Sequence, residues 1–266
     1  MSGILTPSTG STPYQLMGNI DQTYGGVSIY MDGGASFHVK DHTENWHLIS
    51  TDTETVGCNP REITPVNTAR IHSFSIGYFP TNIELGMKGQ PLAKRVFFFG
   101  PPRGLAREML EDPFIGKVEH QCHYDTHAYA NEGLDVIPSL DTLRLSRLLN
   151  PHLKEHGLKL LMLKMLGYEL GDFKELFSRP KISTATGKPL KTRELIPLNE
   201  IKPFTPLFNV LIDYASLDSK ATLELGVLLA AMVDVRTTYK LPEYMAYYYG
   251  IEPPWLKLLR RIIRSA

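Results

Sequence analysis

The chain of 266 residues is short of several things. It has two cysteines, Cys58 and Cys122, too few for a disulfide framework, which points to a reducing compartment. No sign of charge is in excess, since 28 Lys and Arg balance 28 Asp and Glu. A nucleic-acid binder is usually basic, so this balance counts against one, unless cations gather beside a site whose acids hold metal. No apolar run reaches the roughly 20 residues that span a bilayer. The start, Met1-Ser-Gly-Ile-Leu-Thr-Pro7, lacks the charged and apolar regions of a signal peptide. The expected location is therefore cytoplasmic, with no membrane partner. No internal repeat is apparent. What is present, 42% hydrophobic and 21% charged residues, suits one large globular domain with appendages.

Residues 1–45 are rich in Gly, Ser, Thr and Asp and read as an arm, with a hairpin of Val27–Met31 and Ser36–Val39 around Asp32-Gly-Gly. Strands are expected at His47–Glu54, at Arg70–Phe79, where Phe74, Ile76 and Tyr78 share a face, at Arg95–Phe99, and at Lys117–Cys122. Helices are expected at Gly104–Glu111, at Ser139–Leu149, at His156–Leu166 with Gly167 as its C-terminal cap, and over Pro206–Val235. Ser178–Arg193 is basic, has no acid, and reads as an exposed loop or hairpin. Beyond the tyrosines Tyr244, Tyr247, Tyr248 and Tyr249, Trp255–Arg264 interleaves apolar and basic residues as a terminal helix.

Five residues stand out. Asp52 and Glu54 lie two apart in a strand, so they project from one face. Tyr214 and Asp218 lie four apart in a helix, so they also share a face. Asp125 follows His123-Tyr124. Taken singly, each piece reads as a solvated strand end, a core tyrosine beside a surface acid, or nothing. Converging carboxylates raise one another's pKa, and a divalent cation reverses that. All-oxygen donors suit Mg²⁺ or Mn²⁺, and two such ions about 4 Å apart suit displacement at phosphorus. His120, His123 and His127 match no compact zinc spacing.

At this point the sequence resembles the DEDD 3′–5′ exonucleases, in their tyrosine subtype. Asp52-Thr-Glu54-Thr looks like the first motif, His120-Gln-Cys-His-Tyr-Asp125 the second, and Tyr214-Ala-Ser-Leu-Asp218 the third. Asp141-Thr through Leu148-Leu-Asn-Pro151, and His156-Gly through Leu166-Gly167, are similar to stretches in the proofreading domains of family A DNA polymerases. The resemblance covers about residues 46–235. It implies an α/β, RNase H-like fold with a central mixed sheet of about five strands flanked by helices. It implies two divalent cations, Mg²⁺ or Mn²⁺. Asp52, Glu54 and Asp218 would hold one, and Asp52 the other, with Asp125 acting through water. Tyr214 with Glu54 would orient the attacking water, and nucleoside 5′-monophosphates would leave a DNA 3′ end.

Three parts follow: an arm at 1–45, an exonuclease domain at 46–235, and a tail at 236–266. The tail's Tyr248-Tyr-Gly-Ile-Glu-Pro-Pro-Trp255 resembles the junction to a polymerase, so the terminal helix is a candidate contact for a separate DNA polymerase. Contacts to a single-stranded or frayed 3′ end are expected from Thr53, His123 and Tyr124, and from Lys181, Lys188, Lys191 and Arg193 of the basic segment. The rival readings are an RNA-trimming enzyme like ribonuclease D and a non-catalytic scaffold that recruits a polymerase.

Overall fold

β2 (Glu44–Val56) is the strand from which the rest of the sheet is laid out. In the computed structural model, which describes residues 27–37, 44–57, 69–86, 90–184, 186–236 and 254–265, it has partners on both sides. β3 (Arg70–Pro80) pairs with it antiparallel, and β4 (Lys94–Phe99) pairs antiparallel with β3. On the other side β5 (Gly116–Glu119) is parallel to β2, and β6 (Leu140–Asp141) is parallel to β5. Three antiparallel strands followed by two parallel ones reached through helices is the RNase H-like arrangement.

A sixth strand corrects the expected N-terminal hairpin. β1 (Ser28–Tyr30) pairs in parallel with β4, and Ser36 and Phe37 are not strand. The Asp32 carboxylate accepts from the backbone N–H groups of Gly34 (3.1 Å) and Ser36 (2.9 Å), winding the Asp-Gly-Gly segment into a turn instead of a hairpin reversal. Phe37 then packs with Tyr30, Trp46 and Phe98. Thus part of the expected arm belongs to the sheet.

Alternation along the strands supplies two faces. Ile49, Phe74, Ile76, Tyr78 and Phe98 pack under α1 (Gly104–Glu111) and α2 (His123–Asn131). On the other face Leu48, Val118 and Leu140 pack with α3 (Thr142–Leu149) and with α6 (Pro206–Arg236). The strand expected at Lys117–Cys122 stops at Glu119, because the chain turns at Gln121 (φ 61) into α2. The helix expected at 156–166 is shorter. α4 (Leu158–Leu161) passes into a π-helical stretch at Met162–Leu166, and Gly167 closes it at φ 78, as its capping role requires. Between them and α6 lie α5 (Phe173–Leu176) and a two-stranded hairpin of β7 (Ser178–Ile182) and β8 (Pro189–Leu195).

α6 touches the sheet at backbone distance. A Cβ on Gly77 of β3 would lie 2.5 Å from Ser50 Oγ and 2.9 Å from the Ser219 carbonyl oxygen, so only glycine admits the helix there. Ser50 Oγ donates to the Ser219 carbonyl (2.5 Å) and Ser75 Oγ to that of Ala215 (2.8 Å). The Ser75 bond lies level with Asp52, its register partner, and the Ser50 bond two residues before it. The terminal helix α7 (Pro254–Ser265) lays Trp255, Leu256, Leu259 and Ile262 into this chain's own core, leaving Lys257 and Arg261 exposed. Any partner would meet its basic face. The tyrosines at 244–249 lie outside the described residues. Among the described residues no helix is long and apolar enough to cross a membrane.

Candidate active site

The end of β2 carries Asp52 and Glu54 toward α6, where Tyr214 and Asp218 sit one turn apart. Asp125 arrives from the first turn of α2, on the other side of the strand. The intervening Thr53 makes that approach rigid. Its backbone N–H (2.9 Å) and its hydroxyl (2.6 Å) both donate to Asp125 Oδ1. Thr51 and Thr55, on the same face of β2, bond the hydroxyls of Tyr129 and Tyr124 of α2. Three alternate threonines thereby fix α2 to the strand.

The five residues share one electrostatic neighbourhood. Asp52 is raised well above the usual carboxylate range, first by burial and then by Asp125, Glu54, Asp218 and Glu119. Glu54 is pushed up to about 8 by burial, Asp218 and Asp125, against a lowering pull from Lys159. Asp125 rises to about 6 through burial, opposed by the two Thr53 bonds. Asp218 rises to about 6 through burial, opposed by its bond to Tyr214 and by Lys159. The Tyr214 hydroxyl is driven up by burial and by the Asp218, Glu54 and Asp52 charges, which keeps it a donor, bonded to Asp218.

Does this donor set fit a cation? Burial raises all four carboxyls, Asp52 and Glu54 are raised further by the neighbouring acids, and the Lys159 side chain lowers only Glu54 and Asp218, so the group is short of positive charge. Oxygen-only donors in that state suit hard divalent ions. They are not drawn into a cage: among the described residues no group of three or more His, Cys, Asp or Glu side chains is arranged to hold a metal ion. The fit therefore lies in the charge and the donor type.

A cavity of about 820 Å³ opens beside the acids, lined by Thr53, Glu54, Tyr124, Phe173, Asn199 and Tyr214 among others. Tyr214 stands edge-on to Phe173 (5.6 Å) and Phe177 (5.8 Å), and Lys159 Nζ lies 5.5 Å from its ring centre. Lys159 also pairs with Asp172 at 3.7 Å. Of the expected nucleic-acid residues, Tyr124 and Thr53 line the cavity, although the Thr53 hydroxyl is engaged by Asp125. His123 is exposed and lies edge-on to His127. Lys181, Lys188 and Lys191 are exposed on the hairpin, whereas Arg193 is tied to Ser178 at 2.7 Å. Arg179 is held between Glu194 and Glu200.

The sequence reading missed Lys159, Phe173 and Asn199. Lys159 could have been found as the charge next to the apolar stripe of its helix. The other two carry no signal in sequence.

Carboxylates gathered on an interior strand of an RNase H-like sheet and on the helices packed against it, with an open cavity beside them, point to a nuclease. The chain belongs to the 3′–5′ exonuclease family, whose model matches residues 38–234 and so spans all four acids and Tyr214. No curated protein matches the sequence. Among solved structures, the chain is similar to one described as the apo form of the nuclease, at 19% identity, covering 79% of this chain and 83% of that one with a TM-score of 0.49. Another is Brucella melitensis NrnC with bound Mg²⁺, at 16% identity, covering 84% and 85% with a TM-score of 0.43. A third is the Trypanosoma brucei RNase D complex with RNA U12, at 15% identity, covering 81% and 72% with a TM-score of 0.46.

Proposed function

We propose that this exonuclease removes nucleotides from the 3′ end of single-stranded or frayed DNA, as a proofreading activity for a replicative polymerase. The observation that carries the reading is the shared field of Asp52, Glu54, Asp125 and Asp218 with Tyr214 bonded into it, beside an open cavity. Asp52, Glu54 and Asp218 would hold one divalent ion, and Asp52 a second, with Asp125 acting through water. When bound, such ions supply Lewis acidity and offset the charge that develops in an in-line displacement at phosphorus. The rest falls to the chain. Tyr214, kept protonated, and Glu54 orient the attacking water. Thr53 holds Asp125 in place. Tyr124 and Phe173 offer rings to the terminal base. The product is a nucleoside 5′-monophosphate. A polymerase would be met through the basic face of α7. The family model, that of a DNA polymerase A exonuclease domain, supports DNA over RNA.

The test is digestion of 5′-labelled single strands of DNA and RNA with Mg²⁺. A ladder shortening from the 3′ end, faster on DNA, is expected. Tyr214→Phe should slow the chemical step by about ten- to a hundredfold, the range for one positioning group. A faster RNA ladder would make the enzyme an RNA trimmer, and no mononucleotide under any divalent ion would remove the catalytic reading.

The hairpin is read as a backbone contact. Replacing Lys181, Lys188 and Lys191 together by Ala should flatten the salt dependence of strand binding by about two in log–log slope, at about 0.7 per phosphate contact. An unchanged slope would leave the hairpin idle.

A further inference from the structure

Glu119 ends β5 with its side chain wholly inaccessible, yet neither carboxylate oxygen has a hydrogen-bond partner among the described residues. Leaving a buried carboxyl unpaired costs several kcal/mol on the order of magnitude of polar burial, so the group calls for a reason. Its neighbours follow from register. Glu119 is the partner of Asp141 on β6, and continuing the β2–β5 register past Ser50 and Val118 puts it level with Thr51. It therefore faces the α2 side of the sheet, with Asp125 and Tyr129.

The nearby charges do not settle it. Asp141 is already satisfied, accepting from the N–H groups of Gln121, Leu143 and Arg144. Lys117, two residues back and on the same face of the strand, is the natural counter-ion, but its buried ammonium donates to the carbonyl of Asp112. Glu119 instead adds to the repulsion at Asp52 and at Tyr129, and is itself acted on by Asp125. A fifth acid thus feeds the field of the four read from the sequence.

We propose that Glu119 belongs to the cation centre as a positioning residue, its carboxyl ionising as divalent ions bind and then strengthening their hold from behind Asp52 and Asp125 without touching substrate. This rests on the reading of the acids as a cation centre.

The experiment is Mn²⁺ binding to the full chain without substrate, followed by the electron paramagnetic resonance signal of free Mn²⁺, for wild type, Asp52→Asn and Glu119→Gln. Gln keeps the shape and removes the charge. Mn²⁺ affinity is expected to fall by about tenfold, as for other partners one step removed from a metal. The Mg²⁺ concentration for half-maximal cleavage should rise by a similar factor. A merely structural carboxyl would shift thermal stability and leave both readouts alone. Wild-type affinity in Glu119→Gln, with Asp52→Asn impaired, overturns this proposal alone. A wild-type chain that binds no Mn²⁺ overturns the cation centre with it. Should Glu119→Gln fail to fold, Glu119→Asp, which keeps the charge but withdraws it by a methylene, decides: weaker Mn²⁺ binding in a stably folded protein supports the proposal, and unchanged binding overturns it.

Discussion

Asp52→Asn is expected to lower the cleavage rate about a thousandfold or more while making the metal-free protein more stable. The loss follows from the place of Asp52, the one acid assigned to both ions. Transition-state stabilisation by a bound ion is worth several kcal/mol, and each 1.4 kcal/mol is about tenfold in rate. The gain follows from the same position. Asp52 carries the burden of burial and of four other carboxyls, so a neutral isostere relieves a penalty that only a cation otherwise offsets. A gain of about 1–2 kcal/mol is expected at pH 8, or a few degrees in melting temperature. Toward pH 4, where the unfolded chain's own aspartate begins to take up its proton, the gain should shrink. Single-turnover cleavage and thermal melts in EDTA measure the two halves. Retained cleavage would remove Asp52 from the mechanism, and unaltered stability at pH 8 would mean that the carboxyls do not burden the fold.

Such a trade of stability against activity is legible in sequence only where spacing reveals geometry. Asp52 and Glu54 at i, i+2, and Tyr214 and Asp218 at i, i+4, each project as a pair because strand and helix periods make them do so. β3 was readable from Phe74, Ile76 and Tyr78, and α6 from its long apolar run. What escaped is non-local or aperiodic. Val27–Met31 reads as a strand, but its partner is β4, 68 residues on by the Ser28–Val96 register, and nothing local names that pairing. α2 was not foreseen because His123, Tyr124, Asp125, Thr126 and His127 offer no apolar stripe, and much of its hold on the sheet comes from side-chain bonds to Thr51, Thr53 and Thr55. In the sequence nothing distinguishes Glu119 from any strand charge beside Lys117. Only the three-dimensional arrangement shows Lys117 turned to Asp112 and the carboxyl left unpaired.

The second large effect is on stability across pH. Glu54 sits near 8 rather than 4.5, and Asp125 and Asp218 sit near 6 rather than 3.8. Between about pH 4 and 8 the folded protein therefore binds more protons than the unfolded chain at these groups. Their contribution is fully present below the unfolded values and is lost as pH rises through the folded ones. Half-buried Glu111 and exposed Asp172 are shifted the other way and matter only at the acid end of this range, while burial holds His72 and His120 near 4 rather than 6.5, so these two oppose the trend between about pH 4 and 6.5. Glu54 is only partly buried, so solvent screening discounts its share. Above about pH 6.5, where the histidines no longer titrate, a net loss on the order of 1–2 kcal/mol remains, a few degrees in melting temperature between pH 6.5 and pH 8.5 in EDTA. Divalent ions should reverse the trend, because protons and cations compete for the same oxygens. Mn²⁺ is expected to raise the melting temperature strongly at pH 8.5 and hardly at all at pH 5. Thermal melts across this range with and without Mn²⁺ decide the matter. A metal-free protein whose stability holds or rises toward pH 8.5 would mean that the acids are already compensated within the fold, and that cation binding would have no unpaired charge to satisfy.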